Sequence, residues 1–492
     1  MITLNPRPSG LNYLCVAVAG HALAFYSVYN LLVYWLQARG FSDGEAAIAY
    51  GNFVAATYLI PLVSGLLAGG FTVPLPRLRR VAETIEVNGT AYPTGNQRWT
   101  FASYPVAFQP LGLLRVAVVG AAMAVLGYSI IAATANSRVS TTALVLIVAG
   151  VGLSKPNISA LVGRLFPTGS VLVAGAFAKY YSAINLGSLL PPAIAGSLYL
   201  ISFRWAFASA VLGEVVALSA LWLGRRHLQA AESASSLSVL VGNDAAQALH
   251  ARPDEDPPAL RRAKLQALWL FLILAAVVFW PAYHQNGSGL AVWAAKHTDL
   301  RVLGVAVPPT WFASINSIVC ILLPSLLMRR FGASRLSSTT AAGYIFVAAS
   351  FATLVRAPMT QASPLYLVVA ITLSSIAEVL ISTIGLAQVA ALAPRASTAV
   401  YMAIWYVTSA IGAKIVGQLL AGMGLASGFR VLAVASLIAA IVVMLLRRWL
   451  DAAHAAQASN FNAKASSNAM AATSAAGSSE VAGPAVAVVA GQ

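Results

Sequence analysis

The sequence predicts an all-α membrane protein with twelve transmembrane helices in two six-helix bundles. Of the 492 residues, 59% are hydrophobic and only 9% are charged, and the mean hydropathy is +0.78. Soluble domains carry about 25% charged residues. Apolar runs of about 20 residues, the length that crosses a bilayer, recur along the chain, and a polar segment divides them into two sets.

The twelve expected helices are recognised as apolar runs between polar or basic loops. They cover approximately 12–37, 45–70, 113–134, 141–163, 173–200, 204–224, 265–284, 310–328, 337–356, 364–391, 398–423 and 429–446.

Basic residues predict the orientation, because cytoplasmic loops are enriched in Lys and Arg. Alternate loops hold single basic residues such as Arg39 and Arg138. We therefore expect both termini in the cytoplasm, in a multi-pass protein of the plasma membrane. The loops assigned to the inside contain Arg77, Arg79, Arg80, Arg98, Arg115, Arg164, Arg225, Arg226, Arg261, Arg262, Lys264, Arg329, Arg330, Arg335, Arg395, Arg447 and Arg448.

Three segments are not expected to span the membrane. Residues 71–112 form a long cytoplasmic loop within the N-terminal bundle (1–224), and their TIEVNGTAY stretch is compatible with a small hairpin. Residues 225–263, with the run PDEDPP, are predicted to be a flexible linker to the C-terminal bundle (264–449). The Ala/Ser/Gly-rich residues 450–492 are predicted to be disordered.

Several function classes lack support in the sequence. The net charge of +16 is spread over short loops without interleaved aromatics, so no nucleic-acid partner is expected. No nucleotide-binding glycine loop, nucleophile elbow or zinc-ligand spacing is present. Cys15 and Cys320 lie in apolar runs and behave as small hydrophobic residues. We therefore expect no enzyme activity, no cofactor and no metal. The first ten residues lack a signal peptide's features.

Two six-helix halves joined by a cytoplasmic linker describe the major facilitator architecture. In that fold, substrate binds near the membrane midplane between the halves, which rock to expose it alternately to each side. The architecture names no substrate.

Lys155 is the only charge in the apolar run 143–162, within the stretch GLSKPN. An ammonium at that depth costs about 3 kcal/mol on insertion scales, so it normally faces a cavity or a carboxylate. Pro156 can open the helix beside it. The alternative is a lysine that extends to the inner interface.

Glu378 is the corresponding charge of the second half, in ITLSSIAEVLISTIG. Opposite charges that face one cavity from opposite halves suit a zwitterion, since the ammonium binds a carboxylate and the carboxylate an amine. The alternative is a salt bridge between Lys155 and Glu378 that holds the halves closed. Both can apply, because a substrate can replace the bridge.

His284 and His21 are the intramembrane groups that can titrate near neutral pH, as proton coupling requires. The alternative for each is a neutral, hydrogen-bonded core histidine. Glu214 has no obvious partner in the sequence, which favours a structural role. Lys414 is placed toward the outer end of its helix, where it can reach the interface.

Several stretches together resemble one family, the proton-dependent oligopeptide transporters. They occur in that family's order and cover most of 12–446. The motifs are GLSKPNISA (152–160), FAKYYSAINLGS (177–188), FWPAYHQNGS (279–288), PPTWFASIN (308–316), SSIAEVLISTIGLAQVAALAP (374–394) and MAIWYVTSAIG (402–412).

The resemblance implies roles for individual residues. Lys155 matches the lysine that takes part in carboxylate binding and proton coupling, and Glu378 matches the glutamate that holds the peptide's amino terminus. Other positions match the substrate pocket of the family. These are Tyr26, Tyr58, Asn185, Trp280, Asn316, Trp405 and Ser409.

The chain departs from the family pattern in its first helix, which reads VAGHALAFYS. Val18 and His21 stand where the family has glutamates, and Ala22 where it has an arginine. The seventh-helix acid that usually pairs with the lysine is His284 here. A neutral His284 can accept a hydrogen bond from Lys155, and a protonated one repels it.

The sequence thus predicts a secondary transporter that takes up small peptides or peptide-like zwitterions with protons, as a monomer in the lipid bilayer. The candidate proton-coupling residues are His284, Lys155, Glu378 and His21. Two other interpretations remain open. One is a transporter of a different anion or organic solute, such as nitrate or a carboxylate, and the other is a sensor-like protein that binds ligand without transport.

Overall fold

The computed structural model confirms a mostly helical membrane-type fold. It describes residues 10–69, 71–87, 90–108, 111–134, 137–166, 172–241, 257–302, 304–331, 336–383, 385, 388–389, 392–394 and 398–453. Four predicted features lie outside these ranges: residues 1–9, Asn88-Gly89 of the expected hairpin, the centre of the predicted linker and most of the predicted tail.

Thirteen α-helical segments and two short sheets make up the described chain. The helices are α1 Gly10–Gln37, α2 Asp43–Gly69, α3 Leu113–Ala133, α4 Ser137–Arg164, α5 Leu172–Leu198, α6 Phe203–Val241, α7 Pro258–Leu274, α8 Trp280–Tyr283, α9 Gly289–His297, α10 Ser314–Phe331, α11 Leu336–Arg356, α12 Pro364–Glu378 and α13 Thr398–Leu445. The strands are β1 Phe71–Val87, β2 Thr90–Phe108, β3 Arg301–Val302 and β4 Val305–Ala306.

Nine helices within the described ranges are long and apolar enough to cross a membrane. One of them, α13, is 48 residues long and contains non-helical backbone at Gly424, with φ of 71°. Because only glycine adopts this conformation without strain, Gly424 divides α13 near the boundary between the last two predicted spans. The count of twelve membrane crossings stays a prediction.

The segment between α2 and α3 is more regular than the sequence analysis predicted. Strands β1 and β2 pair antiparallel from Phe71↔Phe108 to Val87↔Thr90, with one irregularity between Ala82 and Thr84. The small hairpin expected at TIEVNGTAY is therefore the tip of a long one. Val, Thr, Ile and aromatic residues recur along both strands and favour extended backbone.

Helix α6 also extends beyond its prediction. The sequence analysis ended the N-terminal bundle at residue 224, but α6 continues through the Leu-, Ala- and Glu-containing residues 225–241, which favour a helix. On this extension, the Glu232 carboxylate accepts a hydrogen bond of 2.5 Å from the backbone N–H of Leu113. The first half of the predicted flexible linker is therefore a helix that contacts the start of α3.

Two of the helices in the second half are interrupted at predicted site residues. A π-helical turn, Ala275–Phe279, precedes α8, and a 3₁₀ turn, His284–Gly287, follows it. A second π-helical turn, Val379–Thr383, begins directly after Glu378. Such turns free backbone carbonyls and are common at functional sites.

Small residues bring the two halves into backbone contact. A Cβ atom on Gly51 of α2 would clash with the carbonyl oxygen of Ala413 in α13, and one on Gly44 would lie 2.8 Å from the Cα of Ala421. Close approach through glycine and alanine is the usual packing of transmembrane helices. The α2–α13 contact therefore requires small residues, glycine on α2 and alanine on α13.

We expect Gly51→Ala to destabilise the protein, because the added methyl group meets backbone that no side-chain rotation can move. Overpacking of this kind costs about 1–3 kcal/mol. Thermal unfolding in detergent should give a lowered Tm. The matched control is Gly65→Ala on the same helix, where a Cβ meets nothing within 4 Å. Equal Tm values for the two variants would contradict the proposed contact.

Candidate functional site

Glu378 is held by an amide from a neighbouring helix. Asn316 of α10 donates from Nδ2 to the Glu378 carboxylate at 2.7 Å and to the Ser375 hydroxyl at 3.0 Å. Asn316 and Glu378 are both half-buried. The carboxylate is thus positioned by a charge-assisted hydrogen bond and still accessible to a ligand.

Tyrosine side chains surround this carboxylate from both halves. Each has a hydroxyl close enough to interact electrostatically with Glu378, and they are Tyr26, Tyr29, Tyr58, Tyr181 and Tyr283. Tyr26 and Tyr283 come from opposite halves. Among these, the sequence analysis assigned pocket roles only to Tyr26 and Tyr58. Tyr181 and Tyr283 belong to quoted motifs but were missed, because aromatic residues in such helices usually pack against neighbours.

Lys155 lies on α4 with its ammonium over an aromatic ring. Its Nζ is 5.9 Å from the ring centroid of Phe25 in α1, within cation–π range. Beside it, Asn157 donates to the Ser64 hydroxyl at 2.7 Å, which fastens α4 to α2. No ion pair joins Lys155 to Glu378 or to another carboxylate in the described part of the chain. The salt bridge between Lys155 and Glu378, considered above as an alternative, is therefore not formed in this structure.

His284 belongs to an aromatic cluster at the centre of the second half. Its ring stacks on Trp280 at 5.8 Å between centroids, and Trp280 meets Trp405 edge-on at 5.5 Å. Nε2 of His284 lies 3.1 Å from the hydroxyl of Ser409, whereas Nδ1 has no hydrogen-bond partner among the described residues. The imidazole therefore contacts Ser409, and the hydrogen bond from Lys155 considered above is not formed.

Tyr58 connects this cluster to the first half. The ring of Tyr58, on α2, lies 5.9 Å from that of His284 and 6.4 Å from that of Trp280. The structure thus brings five predicted residues into one cluster between the halves, namely Tyr58, Trp280, His284, Trp405 and Ser409. It sets a sixth, Asn316, against a seventh, Glu378.

Asn185, Lys414 and His21 are placed elsewhere. Asn185 is buried and donates to the Tyr181 carbonyl one turn back on α5. Lys414 donates to Asn52 across the halves, so its head group has a protein partner where the sequence analysis expected it to extend to the interface. His21 is buried inside the N-terminal bundle against Glu214, the acid for which no partner was predicted.

Polar contacts between the halves gather at one end of the molecule, where α1 and α5 finish and α2 begins. Lys296 of α9 forms an ion pair of 2.6 Å with Asp43 of α2. Tyr34 of α1 donates to the Ala291 carbonyl at 2.7 Å, and Thr310 donates to the Pro192 carbonyl at 3.1 Å. This end, which the charge distribution assigns to the outside, is closed between these elements.

The fold is that of a membrane transporter. It matches the crystal structure of a peptide transporter POT in complex with sulfate with a TM-score of 0.73 at 20% identity, covering 91% of this chain and 96% of that one. It also matches a POT family transporter in complex with 5-aminolevulinic acid, with a TM-score of 0.71 at 18% identity over 90% and 97% of the chains.

The family model of the POT family matches residues 114–245 and 259–427, which is more than half of the chain. The protein belongs to this family and is a multi-pass membrane protein, as the motifs predicted. Among curated relatives, "Peptide transporter YePEPT" of Yersinia enterocolitica is 25% identical over 83% of this chain and 87% of its own length. "Dipeptide and tripeptide permease A" of Proteus mirabilis is 28% identical over 80% and 82%.

We expect Asn316→Ala to lower stability by about 1–3 kcal/mol, because it leaves the half-buried carboxylate of Glu378 without its amide donor. The measurement is thermal unfolding in detergent at neutral pH. Ser374→Ala is the matched control, since the Ser374 hydroxyl bonds only to the Ile371 carbonyl of its own helix at 3.0 Å. An Asn316→Ala protein as stable as the control would remove Asn316 as the support of Glu378.

Proposed function

We propose that this protein carries small peptides or peptide-like zwitterions across the membrane by alternating access, driven by protons. The observation that carries the proposal is the pair of opposite charges, Lys155 and Glu378, on different halves and not bridged to each other. A zwitterion between them would satisfy both charges, its carboxylate toward Lys155 and its amine toward Glu378. The curated relatives named above are peptide transporters, which supports this substrate class.

The surroundings of the two charges support a substrate with a peptide backbone. Tyrosine hydroxyls near Glu378 can each donate or accept a hydrogen bond, as peptide amides and carbonyls require. The rings of Trp280 and Trp405 supply apolar surface for side chains of different size. Tyr26, Tyr58, Asn316 and Ser409 are the further residues that we assign to this site.

Proton coupling is proposed for groups that change charge where the substrate binds. Glu378 must be ionised to hold an amine, so proton uptake at Glu378 releases that end of the substrate. His284 carries a free Nδ1 beside the Tyr58 ring, and protonation there would repel the ammonium of Lys155. Lys155 responds to both charges. We place the monomer in the plasma membrane with both termini in the cytoplasm.

The first experiment is uptake of a labelled dipeptide into proteoliposomes with and without an inward proton gradient. We expect accumulation above equilibrium only with the gradient. Uptake that equilibrates equally in both conditions would leave peptide transport in place and remove proton coupling. Uptake in neither condition, from protein that is folded and correctly reconstituted, would overturn the proposed substrate class.

Glu378→Gln should abolish uptake of dipeptides with a free amino terminus, because the neutral amide cannot hold an ammonium. Binding of an N-acetylated dipeptide should change little, because that ligand has no ammonium group to interact with residue 378. The measurements are uptake of the labelled dipeptide by both proteins and binding of the free and the N-acetylated dipeptide to each purified protein. Unchanged uptake by Glu378→Gln would remove its assigned role, and Ser374→Ala is the control for substitutions on α12.

Alternating access requires that the closed end opens during transport. Asp43 and Lys296 are partly exposed there, with 32% and 50% of their side chains accessible, so cysteines at both positions can be joined by a short reducible cross-linker. We expect cross-linking to stop uptake and reduction to restore it. The single-cysteine variants, treated in the same way, are the controls. Normal uptake by fully cross-linked protein would contradict the proposed motion.

A further inference from the structure

A second titratable group lies inside the N-terminal bundle, apart from the residues assigned to substrate. Nδ1 of His21 on α1 is 3.0 Å from Oε1 of Glu214 on α6. The two side chains are only 2% and 0% exposed. A buried charge pair without further hydrogen bonds contributes little net stability, so its presence needs another explanation.

Three buried polar atoms at this place have no hydrogen-bond partner among the described residues. They are Nε2 of His21, Oε2 of Glu214 and the hydroxyl of Tyr128 on α3. Tyr128 lies on α3, which packs against α6, and its hydroxyl is within electrostatic range of Glu214 without a hydrogen bond to it. Folded proteins leave few buried polar groups unpaired. Three from three helices indicate that the cluster binds something small and polar.

The charge balance identifies what it binds. With a neutral imidazole and an ionised carboxylate, the pair holds a net negative charge in a buried place, which costs several kcal/mol. Uptake of one proton by the Glu214 carboxyl group, in its bond with Nδ1 of the neutral imidazole, makes the pair neutral overall. No other bond is made or broken. The unpaired Nε2, Oε2 and hydroxyl can hold the water that delivers the proton.

The backbone fixes this geometry. A Cβ atom on Gly20 would lie 2.5 Å from the Gly213 carbonyl oxygen, and one on Gly213 would lie 2.8 Å from the Gly20 carbonyl oxygen. Helices α1 and α6 therefore touch through their backbones immediately beside the pair. This contact sets the distance between His21 and Glu214. Helix α3, which carries Tyr128, packs beside α6.

Few other charges face the pair. Tyr128 is the titratable group on α3, and Lys155 of α4 stands over Phe25, one helical turn from His21 or about 6 Å along the axis. Lys179 of α5 donates to Asn12 near the start of α1. Helix α2 carries its acids in its first turn. Among these groups, Lys155 is the cation that contacts α1 within one helical turn of His21.

We propose that His21, Glu214 and Tyr128 form a proton-binding site inside the N-terminal bundle that takes up one proton per transport cycle. The site charges and discharges one helical turn from the contact between Phe25 and Lys155. Proton binding at this site stands on the geometry alone. Its coupling to transport rests on the proposed function above.

Infrared difference spectroscopy of the reconstituted full-length protein tests proton binding. Wild type should show a carboxylic-acid C=O band from Glu214 that disappears with rising pH and is lost in Glu214→Gln, while the separate band from Glu378 is kept there and lost in Glu378→Gln. The matched control is Asp299→Asn in an exposed loop, which should retain the band. An identical band in Glu214→Gln would overturn the site.

Tyr128→Phe keeps the packing of the ring and removes only the hydroxyl, so it provides a second variant if Glu214→Gln does not fold. We expect the midpoint pH of the carboxylic-acid band to shift. Nitrogen NMR of ¹⁵N-histidine-labelled wild type, with His21→Gln to assign the signal, should show His21 changing at the same midpoint. An unshifted midpoint and a His21 signal independent of that transition would contradict the assignment.

Uptake measurements test the coupling separately. Glu214→Gln should retain exchange of labelled for unlabelled dipeptide, while accumulation driven by the proton gradient falls to the level seen without a gradient. Accumulation equal to wild type would overturn the coupling. If wild type transports no dipeptide, the proposed function fails, and the infrared titration still decides whether the proton site exists.

Discussion

The hydrocarbon core of a bilayer provides no water to a charged side chain, and this constraint determines where each intramembrane charge of the protein is found. A charge at that depth requires a partner or a cavity. Glu378 has an amide donor, Lys155 has an aromatic face, and Glu214 has an imidazole. The helices that supply these partners come from different parts of the chain, so the charges and the bundle packing depend on each other.

Two kinds of charge site follow from this constraint. Lys155 and Glu378 are half-buried and lie on opposite halves, which leaves both open to a ligand. His21 and Glu214 are fully buried within one half and bonded to each other, so a ligand larger than a proton or a water molecule cannot reach them. The sequence departs from its family's first-helix pattern at His21, and α6 returns a carboxylate to the same place. The carboxylate that the family carries on α1 is thus replaced here by that of Glu214 on α6, which lies beside His21.

The mostly helical, multi-pass character of the chain could be predicted from the sequence, because hydrophobic runs are local signals. The side chain that pairs with each intramembrane charge could not be predicted. His21 and Glu214 are 193 residues apart, and nothing in either neighbourhood specifies the other. The length of the β1–β2 hairpin was underestimated because prolines and arginines interrupt its alternation, while Asn88-Gly89 indicated only the turn. Helix α6 was ended early because charge was read as the start of a linker.

The glycine contact between α2 and α13 has a mechanical consequence. Because this contact lies near the start of α2, the rest of that helix can tilt about it. The segment from Gly51 to Gly69 is about 27 Å long at 1.5 Å per residue, so a tilt of about 10° displaces the Gly69 end by about 5 Å. Smooth backbone surfaces resist such a tilt less than interlocked side chains do. The Gly69 end of α2 can therefore move by several ångströms while the contact at Gly51 stays in place.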